Sequence, residues 1–211
     1  MNLFEGEPAL AKNELRGLGR AIAGGGDKVN RRGNDFYPTP SDATEALLRV
    51  EASYIEAYGL PVWEPCGRGG AISTVLQRHG FETVATDIVA DPVHDVTVLN
   101  VLLAEQALSP VAFTNPPFAL AAPIIKHLLI TLNVEYLALL LKATFWSAAT
   151  RRALLDRCPV SRRYDLTWRL DFTDGGSPTM ECSWFVWDRR SNDSMRWEPL
   201  PRPKAETILL L

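Results

Sequence analysis

Short apolar runs separated by turn residues dominate the middle of the chain. Residues 136–141 are all apolar, and the run over 111–113 ends at a proline-containing turn. Apolar runs of this length, without polar alternation, are typical of strands buried on both faces of a sheet. The pattern predicts strands over 62–64, 83–88, 96–99, 111–114, 136–141, 164–172 and 182–187.

Segments with helical signals alternate with these strands. Helices are predicted over 41–58, 71–78, 102–107, 123–132 and 148–157, with Ser41 as the N-cap of the first. The alternation predicts an α/β fold: a mostly parallel, twisted sheet with helices on both faces and a C-terminal antiparallel hairpin. Ligands of such sheets bind beyond the carboxyl ends of the strands, which singles out the loops after Glu64, Thr86 and Thr114.

Residues 1–33 lack this alternation. We expect a flexible lead-in there, with a short helix over 10–22, and one domain over 34–211. The first residues lack the basic and apolar regions of a signal peptide, and no apolar run is long enough to span a membrane. The three scattered cysteines suit a reducing compartment, so a cytoplasmic location is expected.

The charge balance narrows the choice of partners. The chain has 22 Lys and Arg against 25 Asp and Glu, a net charge of −3, so any nucleic-acid site is a local patch. One basic stretch is either such a patch or a solvated face; it comprises Lys142, Arg151, Arg152, Arg157, Arg162, Arg163 and Arg169. No histidine or cysteine pair has metal-ligand spacing, so no metal site is expected.

A glycine-rich turn follows the first predicted strand. Residues 64–71 read Glu-Pro-Cys-Gly-Arg-Gly-Gly-Ala, and Asp87 ends the next strand, 23 residues after Glu64. Glycines let a ligand approach the backbone, and an acidic residue near this spacing can hold the ribose hydroxyls of a nucleoside cofactor. The dinucleotide-binding motif G-x-G-x-x-G is absent, which counts against a nicotinamide cofactor. The phosphate-binding motif G-x-x-x-x-G-K-S/T is also absent, which counts against nucleotide hydrolysis.

A second motif, 114–118, reads Thr-Asn-Pro-Pro-Phe and follows another apolar strand. Two successive prolines stiffen the backbone and carry no N–H, so Asn115 and the adjoining carbonyls can accept hydrogen bonds from a planar amino group. The alternative interpretation is a plain turn that ends the strand.

Together the two motifs resemble the S-adenosylmethionine-dependent amino-methyltransferases, most closely the adenine-N6 DNA type of phages and prophages. Asn-Pro-Pro-Phe is a form of that family's catalytic motif, and residues 36–40 resemble its upstream cofactor motif. The motif order resembles the gamma type, and the resemblance covers about residues 34–190. Arg68 departs from the usual glycine turn. The resemblance implies a Rossmann-like class I methyltransferase fold, with 34–211 as a single methyltransferase domain.

The resemblance also implies roles for individual residues. Thr39 would bond the methionine end of the cofactor, Asp87 the ribose, and Ile88 would pack on the cofactor adenine. Asn100, or as the second choice Asp95, would contact the adenine edge. Asn115 and the Pro116 carbonyl would hold the target amino group, with Phe118 stacked on the base. The implied cofactor residues are Tyr37, Pro38, Thr39, Glu64, Pro65, Cys66, Gly67, Gly69, Gly70, Asp87, Ile88 and Asn100, and the implied catalytic residues are Asn115, Pro116, Pro117 and Phe118.

The leading hypothesis is therefore methyl transfer to the N6 amino group of adenine in DNA. The alternatives are the same chemistry on RNA or on a protein glutamine amide, and a catalytically silent cofactor-binding accessory protein. Little chain lies beyond the predicted catalytic core. Short or relaxed target specificity, a dimer or a helper protein is expected for that reason.

Overall fold

The computed structural model describes residues 37–172, 175, 178, 180–192 and 194–204. The expected lead-in over 1–33, its helix over 10–22, and most of the expected hairpin turn lie outside the described residues. No helix in the described part of the chain is long and apolar enough to cross a membrane.

An eight-stranded sheet forms the centre of the fold, in the order β3-β2-β1-β4-β5-β7-β6-β8. The first five strands in this order are parallel, β7 runs antiparallel to both β5 and β6, and β8 is parallel to β6. The predicted α/β class, with its parallel sheet and C-terminal antiparallel hairpin, is confirmed. The strands are β1 (Val62–Glu64), β2 (Thr83–Asp87), β3 (Val96–Val98), β4 (Val111–Thr114), β5 (Tyr136–Lys142), β6 (Arg162–Leu166), β7 (Cys182–Asp188) and β8 (Arg196–Leu200).

The residues of β5 divide alternately between two cores. Tyr136, Ala138 and Leu140 enter the core beneath the first helix, whereas Leu137, Leu139 and Leu141 enter the core on the other face. Because side chains alternate along a strand, a strand covered on both faces is apolar at every position. The continuous apolar run thus follows from helices lying on both faces of the sheet.

The helices are shorter than the sequence predicts, the first two by only two residues each. They are α1 (Ser41–Glu56), α2 (Ser73–Arg78), α3 (Ala121–Lys126) and α4 (Arg152–Arg157). A π-helical turn over His127–Thr131 continues α3, and a 3-10 turn over Ala149–Arg151 precedes α4. The helix predicted over 102–107 is only a 3-10 turn, Val101–Leu103. Pro40, not Ser41, occupies the N-cap of α1.

Two features of the C-terminal part differ from the prediction. The strand predicted over 164–172 ends at Leu166, and in the described part of the following connection Leu170 forms an isolated bridge with Met180. The edge strand β8 was not predicted. It contains two charged residues and Pro199, which an edge strand tolerates because one side of its backbone has no neighbouring strand.

Candidate active site

The glycine turn connects the carboxyl end of β1 to α2. The Gly67 N–H donates to the carbonyl of Thr86 at 2.8 Å, which holds the turn against β2. A Cβ on Gly67 would lie 3.0 Å from the Cβ of Ala85, so a larger residue would be crowded against β2 and the turn would have to shift slightly. The Glu64 carboxyl accepts a 2.8 Å bond from the Ser73 N–H at the start of α2.

Burial controls the ionisation of two residues beside this turn. It raises the pKa of Glu64 to about 8, with the nearby Asp87 charge adding to the effect and the Ser73 bond opposing it. It also raises the pKa of the Cys66 thiol to about 12. Glu64 is therefore largely protonated at neutral pH. A thiol with a raised pKa stays protonated, which fits the predicted pocket-lining role of Cys66 better than that of a thiolate nucleophile.

Asp87 ends β2 and faces the glycine turn. One carboxylate oxygen accepts from the Val89 N–H at 3.1 Å, and the other accepts from the Arg68 N–H at 3.4 Å. These bonds fix the carboxylate at the carboxyl edge of the sheet, where each oxygen retains a lone pair for a further donor. The next residue, Ile88, is 56% exposed at the same edge.

Asp91 and His94 lie against the second half of the turn. The Gly69 N–H donates to Asp91 at 3.0 Å, and the imidazole of His94 bonds the same oxygen at 2.8 Å. A Cβ on Gly70 would lie 2.8 Å from the His94 ring. Gly69 and Gly70 thus allow the segment that carries Asp91 and His94 to approach the turn closely. A cofactor contact at these two glycines stays a prediction.

The two candidates near β3 lie at its opposite ends. Asn100 follows the carboxyl end of β3, on the same edge as Asp87, whereas Asp95 precedes the strand with a positive φ of 55°. The Asn100 side-chain oxygen accepts from the Leu102 N–H at 3.0 Å and caps the 3-10 turn. Of the two, the preferred candidate Asn100 is the one at the ligand-binding edge.

Asn115 directly follows β4, the neighbour of β1, and its amide nitrogen is held from two sides. It donates to the Thr39 hydroxyl at 3.1 Å and to the Tyr37 carbonyl at 3.4 Å. The two bonds fix the amide plane and engage the nitrogen, so the side-chain oxygen is the atom that can accept from a substrate. The upstream motif and the Asn-Pro-Pro-Phe motif, which are 76 residues apart at Thr39 and Asn115, form one site.

The remainder of this motif forms a rigid wall. Pro116 is buried, Pro117 has a φ of −51°, and Phe118 begins a 3-10 turn. The Lys142 ammonium lies 5.5 Å from the centre of the half-buried Phe118 ring. Phe172, in the connection after β6, meets the Tyr37 ring edge-on at 6.2 Å. The contribution of Phe172 was missed, because no local sequence pattern links it to residue 37.

The basic stretch does not form one surface. Arg162 is buried and bonds Glu51 at 2.6 Å and Asp188 at 2.8 Å, so a phosphate contact by this residue is excluded. Arg163 pairs with Asp165 at 2.7 Å, and Arg152 pairs with Asp156 on the surface of α4. The alternation of β6 explains the difference, because successive side chains point to opposite faces of the sheet.

Comparison with solved structures places this fold among known methyltransferases. A proposed RNA methyltransferase from Pyrococcus horikoshii has a TM-score of 0.59 at 16% identity, covering 82% of this chain and 98% of that one. A proposed class I S-adenosylmethionine-dependent methyltransferase from Listeria monocytogenes has a TM-score of 0.57 at 13% identity, covering 88% and 72%. A modification subunit of a proposed type I restriction enzyme from Vibrio vulnificus YJ016 has a TM-score of 0.51 at 12% identity, covering 92% and 51%.

These likenesses define the class of fold. The parallel sheet, the flanking helices and the C-terminal antiparallel strand form a Rossmann-like class I methyltransferase fold. No family model and no curated protein matches the sequence.

Proposed function

We propose that this protein transfers a methyl group from S-adenosylmethionine to the N6 amino group of adenine in DNA. The observation that carries the proposal is the orientation of Asn115. Thr39 and Tyr37 hold its amide nitrogen, so its oxygen is free to accept at the carboxyl edge of the sheet. The Pro116 carbonyl follows one residue later and supplies a second acceptor.

The residues at the ends of β1, β2 and β3 fit the cofactor. S-adenosylmethionine supplies an electrophilic methyl group on a sulfonium. The Asp87 carboxylate would accept from its ribose hydroxyls, Ile88 would cover its adenine, and Asn100 lies at the end of β3 beside them. Thr39 accepts from Asn115 and still has its own hydroxyl hydrogen to donate to the methionine carboxylate.

The catalytic role falls to positioning. The nitrogen of an exocyclic amino group is a poor nucleophile, because its lone pair is delocalised into the ring. Acceptors at Asn115 and Pro116 would hold both amino hydrogens, favour a pyramidal nitrogen and aim its lone pair at the methyl group. A base inside a duplex cannot reach this edge of the sheet, so the adenine must be extruded or already single-stranded, with Phe118 as its stacking surface.

RNA is a second candidate for the substrate. The Pyrococcus protein is described as an RNA methyltransferase and the Vibrio protein as a modification subunit of a restriction enzyme, so folds of this kind occur in both settings. A glutamine amide carries the same planar amino group and would use the same two acceptors. These alternatives share the chemistry at Asn115 and differ in what brings the amino group there.

A product assay tests the proposal. The protein is incubated with labelled S-adenosylmethionine and with DNA, RNA or protein, and the digested products are separated by mass spectrometry. We expect N6-methyladenine from DNA with the parent protein and far less of it, over the same reaction time, with the Asn115→Ala variant. Methylation confined to RNA or to a glutamine amide selects those alternatives. Cofactor binding without transfer to any of the three identifies a silent accessory protein.

A further inference from the structure

Lys142 stands out among the cations around the proposed site. It is the last residue of β5 and half-buried, and its ammonium lies over the Phe118 ring. Within the described residues no carboxylate lies within 4.0 Å of this ammonium, whereas Arg163, on the nearby strand β6, pairs with Asp165 at 2.7 Å. The side-chain neighbours of Lys142 in the described part of the chain include the Phe118 ring and the Cys182 thiol on the paired strand β7, and neither takes up the ammonium's three N–H donors, which stay available for an anion.

The position of Lys142 also affects Phe118. A base can stack only on a ring face that is open to it, and on one side of the ring the ammonium lies 5.5 Å from the ring centre, in the space that a stacked base would need. The other constraint is the core beneath α1, against which the Phe118 side chain packs. A base that is to stack on the covered face must therefore displace the ammonium.

Displacement requires little free energy if the ammonium gains a better partner. A cation–π contact at a partly exposed site is a weak interaction, whereas a hydrogen bond between an ammonium and a phosphate is stronger because both partners are charged. A nucleotide brings the base and the phosphate together. Its arrival would remove Lys142 from the ring and provide the anion that keeps it away.

We propose that Lys142 binds a phosphodiester adjoining the target nucleotide and in doing so uncovers the stacking face of Phe118. The inference rests on the proposed methyl transfer and names its substrate class: a polynucleotide, since a protein amide brings no phosphate. Lys142 is accordingly a positioning residue. It acts on the base through Phe118 and contacts the substrate only at its backbone.

The test removes the charge from each side of the contact. Single-stranded oligonucleotides with one adenine are made with normal phosphodiesters, or with neutral methylphosphonates on both sides of that adenine, as DNA and as RNA. Each is measured with the parent protein, with Lys142→Gln, and with the control Lys126→Gln, which removes an exposed lysine at the end of α3. Binding by fluorescence anisotropy and single-turnover methyl transfer are the two readouts.

We expect the neutral linkages to weaken binding to the parent by at least about tenfold, the lower end for loss of one hydrogen bond to a charged group. Lys142→Gln should lose a similar factor on the normal oligonucleotide and nothing further on the neutral one. Lys126→Gln should behave as the parent, and Lys142→Arg should keep the sensitivity to linkage. Thermal unfolding of each variant shows whether it is folded.

If the neutral linkages weaken binding to Lys142→Gln as much as they weaken binding to the parent, the two losses are independent and the proposed contact between Lys142 and the phosphate is overturned. Normal binding by Lys142→Gln, or a parent that binds neither oligonucleotide, would also overturn it. A parent that shows the coupled loss in binding but transfers no methyl group retains the phosphate contact and contradicts the proposed reaction. The DNA and RNA arms show which polynucleotide supplies the phosphate.

Discussion

At the scale of single residues, the chemistry depends on how one amide is held. An unrestrained asparagine side chain can rotate and present either its oxygen or its nitrogen. In this site the Thr39 hydroxyl and the Tyr37 carbonyl both bond the Asn115 nitrogen. The oxygen therefore has a fixed direction before a substrate arrives, and no reorganisation is needed at the moment of reaction.

Replacement of Asn115 tests this role directly. Asn115→Ala removes the side-chain acceptor, and we expect the single-turnover rate of methyl transfer to fall by about 10²–10³, as when one well-placed polar group is lost from a reacting centre. Asn115→Asp should keep partial activity because a carboxylate also accepts. Cofactor affinity, measured by calorimetry, should be unchanged in both variants.

The control for this experiment is Asn192→Ala, an exposed asparagine on the loop after β7, at the opposite edge of the sheet. It should react like the parent. If Asn115→Ala also reacts like the parent, the Asn-Pro-Pro-Phe motif is a structural turn only.

Glu64 makes a second prediction at this scale. Burial raises its folded-state pKa to about 8 from an ordinary value of 4.5. Between these two pKa values the folded protein therefore keeps a proton that the unfolded chain releases. The stabilisation that the protonated Glu64 side chain contributes is fully present below pH 4.5. It is lost as the pH rises from 4.5 to about 8. Each pKa unit corresponds to about 1.4 kcal/mol, so the loss amounts to roughly a few kcal/mol.

Glu64→Gln should remove this pH dependence while keeping an acceptor for the Ser73 N–H. The variant is expected to have a higher free energy of unfolding than the parent at pH 8 and a similar one at pH 4.5, by urea titration at both pH values. A parent whose stability does not change over this range, or a variant with the same slope, would show that Glu64 ionises normally.

At the scale of elements, the strands and loops that could be predicted are those whose sequence signal lies in consecutive residues. The strands β1, β2, β4 and β5 were predicted because burial on one or both faces of a strand produces a local pattern of apolar residues. The three site loops followed from the rule on carboxyl ends. The edge strand β8 and the approach of Asp91 and His94 to the glycines were not predictable, since these contacts join separate segments and leave no local pattern.

At the scale of elements, we predict that the segment around α4 contacts nucleic-acid phosphates. Arg152 makes only an exposed pair with Asp156, and Arg151 lies over the Phe145 ring and bonds the Phe145 carbonyl. The exposed Arg152–Asp156 pair is weak and exchanges readily for a phosphate, and the half-buried Arg151 would exchange its carbonyl and ring contacts for one. Replacing both arginines by glutamine should flatten the dependence of log binding constant on log salt by about one to two. An unchanged slope identifies the segment as a solvated face.

At the scale of the whole molecule, a buried charge cluster joins helix and sheet. Glu51 of α1 accepts hydrogen bonds from Tyr136 of β5, Tyr164 of β6 and Arg162 of β6. Arg162 also bonds Asp188 at the end of β7. One helix and three strands thus meet at a single ion network on the face opposite α3. No local sequence pattern predicts this network, because Arg162 is the same residue type as its more exposed neighbours in the basic stretch.

Arg162→Met should destabilise the fold strongly, because it leaves the Glu51 and Asp188 carboxylates buried without their cation. We expect a loss of about 3–5 kcal/mol in the free energy of unfolding at pH 7. The loss should shrink as the pH falls, since the stranded carboxylates can then take up protons, and adding Glu51→Gln should recover part of it. The matched control is Arg163→Met, one residue along β6, whose half-exposed pair with Asp165 should contribute no more than about 1 kcal/mol. Urea titrations of the variants at pH 5 and pH 7 make the comparison, and equal losses at positions 162 and 163 would contradict the structural role of the buried cluster.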